Sequence, residues 1–128
     1  MTAPRLLGRA LVLCLAVMAL SCEELPNVSP EAAFIFTPVS PIVAGSTVVV
    51  FNAAASLDSD GQIASYVWNF GDGSREETVG GSTLTHVFPN TPSTCLSITY
   101  AVLLTVIDNS GARGTASQNV SVQEDCRG

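Results

Sequence analysis

No lysine occurs in the 128 residues, and His86 is the single histidine. From Cys22 onward, three arginines (Arg75, Arg113 and Arg127) stand against eleven carboxylates, a formal net charge of −8. Such a surface repels phosphate backbones and anionic headgroups, which argues against nucleic acid and against peripheral membrane binding by charge. With one histidine and no cysteine at ligand spacing from it, a His/Cys metal centre is not indicated. A hydrolytic triad would need His86 beside an activated serine in a pocket, yet it falls at period two with Phe88, as a packing residue on a strand does. Beyond Leu20 no apolar run approaches the roughly 20 residues a spanning helix takes. Nor does any later segment sustain a 3.6-residue apolar repeat, which argues against a helical fold. Aromatics number only eight, so few are left for an exposed sugar-binding row once a core is built.

What is present begins with an export segment. Arg5 and Arg9 precede Ala10–Leu20, an uninterrupted apolar run of 11 residues, too short to span and of the length of a signal-peptide core. Residues 1–21 therefore read as a helical signal peptide. Small residues at Ala19 and Ser21 suit an ordinary signal peptidase. The same stretch resembles the lipobox of bacterial lipoproteins, in which a small residue precedes the cysteine that becomes lipidated; the departure is Ala19, where an aliphatic residue is usual. Removing the signal discards Cys14 and leaves Cys22, Cys95 and Cys126, an odd number in an oxidising compartment. Lipid on Cys22 would leave two cysteines free to pair. Several acyl chains on one cysteine, as that family carries, give stable anchoring where one chain is marginal. Residues 22–30 (CEELPNVSP) then read as a short tether.

From Glu31 the pattern is β. Phe34 and Phe36 alternate in a first strand ended by Pro38 and Pro41. Ser46–Ala53 is rich in β-branched residues, with Thr47, Val49 and Phe51 on one face. Tyr66, Trp68 and Phe70 recur at period two in 62–70. The Gly-rich span 71–81 reads as turn and loop, and 83–88 as another strand. Tyr100, Val102, Leu104 and Val106 share a face of 98–107, and Val120 and Val122 point inward from 115–122. About seven short strands in this length predict an all-β, immunoglobulin-like sandwich.

Three motifs sharpen that reading. Ser56-Leu57-Asp58-Ser59-Asp60-Gly61 leads into Trp68-Asn69-Phe70-Gly71-Asp72-Gly73; His86-Val87-Phe88 follows, and then Tyr100–Asp108 with Ser110-Gly111. Together they resemble a PKD (polycystic-kidney-disease) domain over residues 31–123, with 124–128 left as a tail. The resemblance implies a structural role for the motif. Trp68 and Phe70 pack inward, burial being worth roughly 25 cal/mol per Å². Gly71 and Gly73 supply positive φ in a tight turn, and Asp72 accepts backbone N–H bonds within it. Two departures stand out: Asn69 replaces the usual Asp, and 89–97 (PNTPSTCLS) replaces a short Gly-bearing turn. PKD domains accompany catalytic or adhesive domains on secreted bacterial proteins, so the resemblance implies a non-catalytic interaction or spacer module. Its partner would be an envelope protein or a polysaccharide, and its place the outer membrane or cell surface, reached through the lipid only. A polysaccharide-binding module and a small hydrolase are the other readings.

Asp58 and Asp60 form a self-capping turn that also resembles a calcium-binding turn, since some PKD domains bind calcium and hard oxygens at alternate positions converge on one cation. Otherwise no cofactor is expected. Asp108 is expected far along the sandwich from that turn. The glutamate and aspartate pairs at 23–24, 76–77 and 124–125 read as solvated charge, and Asn27-Val28-Ser29 and Asn119-Val120-Ser121 as unused glycosylation sequons. Finally, pairing Val102 with Val120 and Tyr100 with Val122 makes opposed numbers in the last hairpin sum to about 222. Cys95 and Cys126 sum to 221, which brings them to one end of the sheet and predicts a disulfide, two free thiols being the alternative.

Overall fold

A computed structural model describes residues 22–91 and 95–127; the expected signal peptide lies outside the described residues. Seven strands follow in chain order: β1 (Ile35–Thr37), β2 (Val49–Asn52), β3 (Ile63–Asn69), β4 (Glu77–Val79), β5 (Thr83–His86), β6 (Ser97–Asp108) and β7 (Arg113–Gln123). One antiparallel sheet runs β1-β2-β5 and the other β4-β3-β6-β7. The inward residues of both sheets meet in a single apolar layer, as a sandwich requires. Val49 and Phe51 enter it from β2, Trp68 from β3 and Phe70 just beyond it; Val102, Leu104 and Val106 come from β6, Val120 and Val122 from β7. Phe51 is central, ring to ring with Phe34, Phe36, Trp68, Phe70 and Phe88. No helix among the described residues is long and apolar enough to cross a membrane.

Two details depart from the sequence expectations. The span 71–81 is not all loop: β4 pairs with β3, Val79 opposite Tyr66 and Glu77 opposite Trp68. Val79 alone turns an apolar side chain to the core there, so the strand leaves almost no period-two trace. The last hairpin is also shifted by two residues, Tyr100 opposing Val120 and Val102 opposing Gln118. Its turn fixes that register. The Asp108 carboxylate accepts the Ser110 and Ala112 N–H groups, each at 2.8 Å, and the Asp108 N–H bonds Ala112 O, closing the loop between Ile107 and Arg113. The slip is even in number, so every side chain keeps its face.

Candidate functional site

The sandwich has two distinct poles, set by the direction of β6 and β7. At the first, antiparallel pairing places Ile63 at the start of β3 opposite Asp108 at the end of β6. Asp108 therefore lies beside the Asp58–Asp60 turn, contrary to the expectation that it would be remote. The tether docks onto this acidic corner. The Asn27 amide donates to Asp108 Oδ2 at 2.8 Å, the Val28 N–H donates to Asp60 Oδ2 at 2.8 Å, and Glu31 and Leu57 exchange backbone hydrogen bonds. Pro30 is buried, its carbonyl packed against the bare Cα of Gly114, where a Cβ would collide with it. Sequence reading missed Asn27 and Val28, because their partners lie 81 and 32 residues away. The only trace is the β3–β6 pairing that the strand pattern implies.

Electrostatics at this corner are unequal. The Asn27 amide, against the cost of burial, and the N–H groups of the turn hold Asp108 below the usual carboxylate range. Asp58 moves the other way: burial, then the Asp60 carboxyl and the charge of Asp108, raise it. Neither Asp58 oxygen has a hydrogen bond of normal geometry, and both are closed to solvent. An ionised Asp58 is therefore disfavoured in the fold and opposes stability at neutral pH. Among the described residues no three His, Cys, Asp or Glu side chains already form a metal cluster. The oxygens that could hold a hard cation are those of Asp58 and Asp60, with the Asn27 amide beside them.

The opposite pole is built on the Trp-Asn-Phe-Gly-Asp-Gly segment. Gly71 and Gly73 have φ of +70° and +85°, and a Cβ on Gly71 would stand 2.6 Å from Ala101 O. Asn69 Oδ1 accepts the Gly71 N–H while its amide donates to Glu76, a donor that the family's usual Asp would not supply. Asp72 does more than cap the turn. Besides the Ser74 N–H it meets His86 Nε2 at 2.7 Å, tying β5 of one sheet to the end of β3 in the other. Burial works against the ionised carboxylate, but the bonds from Ser74 and His86 outweigh it, and Asp72 sits below the usual range. His86 stacks on Phe70, with ring centroids 3.8 Å apart. Ser74 Oγ bonds Asp72 at 2.5 Å rather than His86, so the three do not make a nucleophile–base–acid relay.

At this pole Cys95 and Cys126 form the disulfide, with Cα atoms 5.6 Å apart. In the observed register Cys95 falls opposite residue 125, so the two-residue correction leaves the pair adjacent. Around it, Thr91 N–H and Oγ1 both donate to the Glu124 carboxylate, and the Asn90 side-chain amide donates to Asp125 O and accepts the Asp125 N–H. A polar cleft of about 600 Å³ opens between Val43, Ser46 and the 123–127 tail. No exposed aromatic platform accompanies it: all eight aromatics lie in the core or against it.

Comparison with known proteins places this geometry in a family. A family profile for the PKD domain matches residues 27–122. Over 93 residues, 69% of this chain and 8% of the other, it is 36% identical to collagenase ColA of Clostridium perfringens. Over 106 residues, 83% of this chain and 10% of the other, it is 36% identical to the pre-pro-metalloprotease PrtV of Vibrio cholerae. The chain thus spans a tenth or less of the length of these relatives. Among solved structures it resembles one described as carbohydrate-binding modules from the β-sandwich superfamily, with TM-score 0.67, 40% identity, and 78% of this chain and 36% of that one covered. It also resembles the PKD1 domain of Vibrio anguillarum Epp, with TM-score 0.60, 25% identity, and 78% of this chain and all of that one covered. The two-sheet sandwich, its Trp-Asn-Phe-Gly-Asp-Gly turn and the profile match agree, and the chain belongs to the PKD domain family.

Proposed function

We propose that this chain is a non-catalytic interaction and spacer module, exported and held to the bacterial cell envelope by lipid on Cys22, which meets an envelope protein or cell-surface component at its free pole. The observation that carries the reading is the docked tether. Asn27 and Val28 are clamped on Asp108 and Asp60, so the chain leading to Cys22 leaves from one pole and the other stays clear. The free pole also holds Asn90, Thr91 and the disulfide-bonded Cys95, which belong to the departure from the family. A non-catalytic role is supported by relatives in which the matching part is a small fraction of a protease. A polysaccharide partner is the second reading, favoured by the likeness to carbohydrate-binding modules. Without an aromatic platform, it would have to be gripped by polar groups of the cleft. Intact-mass analysis after expression in a bacterial host should show a diacyl or triacyl addition, and Cys22→Ala should remove it and release the protein from the membrane fraction. A wild-type protein that is soluble and unmodified from Cys22 onward contradicts the anchor.

The same corner fits calcium. Both Asp58 carboxylate oxygens are closed to water and without a hydrogen bond of normal geometry, and a hard divalent cation would satisfy them together with Asp60 and amide or carbonyl oxygens. When bound, calcium would neutralise the Asp58–Asp60 repulsion and stiffen the corner onto which the tether docks. Binding to the folded state stabilises by RT ln(1 + [L]/Kd), about 2.7 kcal/mol at one hundred times Kd. Millimolar calcium should therefore raise the melting temperature by about 4–8 °C per kcal/mol for a domain of this size, and Asp58→Asn should abolish the rise. A melting curve indifferent to calcium contradicts this assignment without touching the anchor.

A further inference from the structure

We propose that two copies of this chain pair edge to edge through β7, antiparallel about a two-fold axis at Gln118. Among the described residues every other sheet edge is short: β1 and β4 have three residues each and β5 has four, whereas β7 has eleven. Long free edges are normally blunted by charge, proline or a bulge. From Thr115 to Gln123 the edge carries no charge and no proline, and its register against β6 is unbroken. Its hydrogen-bonding direction can be read from one residue. The Gln123 N–H donates to Ile42 O and its carbonyl accepts from the Ala44 N–H, so both point away from β6. Antiparallel ladders alternate, so Thr115, Ser117, Asn119 and Ser121 also turn both backbone groups outward. No backbone group among the described residues bonds those four. Pro30–Phe34 meets β7 through the residues that share the face of Val120 and Val122, not through the outward backbone groups: Pro30 O lies against Gly114 and Phe34 O accepts the Gln118 amide.

The free ladder is self-complementary. Opposing Thr115 to Ser121 and Ser117 to Asn119 of a second copy uses all four residues and stops where Gln123 is already engaged by Ile42 and Ala44. Charge selects the same pairing. In a chain of net charge −8 beyond residue 21, this register sets Arg113 of each copy opposite Gln123 of the other, beside Glu124 and Asp125. No like charges meet along the seam.

Sedimentation velocity on the exported chain carrying Cys22→Ser should give a dimer that dissociates on dilution. Asn119→Pro should halve the mass without lowering the melting temperature of the monomer appreciably, because the N–H it removes points outward. Independently, Gln118→Cys should give a disulfide-linked dimer on mild oxidation, since a non-hydrogen-bonded pair brings its Cα atoms to about 4.5 Å. Thr115→Cys, which faces Ser121, should not. A wild-type chain that stays monomeric at its solubility limit, a dimer indifferent to Asn119→Pro, or equal crosslinking at positions 115 and 118 would overturn the proposal.

Discussion

Trp68→Ala is expected to unfold the domain or nearly so. Trp68 is wholly buried, edge-on to Phe34 at 5.1 Å between centroids and 5.5 Å from Phe51. Truncating such a ring removes its transfer free energy and leaves a cavity between two sheets that cannot collapse without breaking strand pairing. Losses of this kind run to about 3–5 kcal/mol, against a total of about 5–15 kcal/mol for a small domain. The indole N–H has no hydrogen-bond acceptor, so the cost is one of packing. Trp68→Phe, which keeps a ring in the layer, should therefore fall well inside the loss seen with alanine. Denaturant unfolding of the three proteins settles it. An alanine variant melting within a few degrees of wild type would mean the aromatic layer does not carry the fold.

Removing the disulfide is the second large effect. Cys95 and Cys126 are 31 residues apart, and closing such a loop contributes roughly 3–4 kcal/mol on the chain-entropy model. The bond also holds Thr91 against Glu124 and Asn90 against Asp125, contacts near a chain terminus that would otherwise fray. Cys95→Ala, Cys126→Ala and the double variant should lose similar amounts, since each breaks the same bond, and reductant should bring wild type down to their level. Equal denaturation midpoints with and without reductant would contradict this.

Which features were legible in the sequence follows from how local their causes are. Trp68 and Phe70 face the core because a strand alternates, and no distant residue is needed to see it. Cys95 and Cys126 were placed together by the same alternation carried across one hairpin. The register itself came out two residues off, because matching inward residues ignores the turn, and the Asp108 side chain sets the turn's length. β4 was invisible because Arg75–Thr78 is polar and Val79 is the single residue it turns inward. The tether clamp was out of reach for a different reason. Asn27 meets Asp108, and His86 meets Asp72, only once β3 has been laid against β6 and the two sheets against each other. Hydrogen bonds that join separate elements leave no periodic mark.

A module that is tied down at one pole should meet its partner at the other. A photoreactive side chain at Ser46 or Arg127, both lining the free-pole cleft, can be compared in intact cells with one at the exposed Ser59 of the tether pole. One defined adduct with an envelope component is expected from positions 46 and 127, and none from position 59. Adducts from position 59 alone, or none from either cleft position, would contradict it.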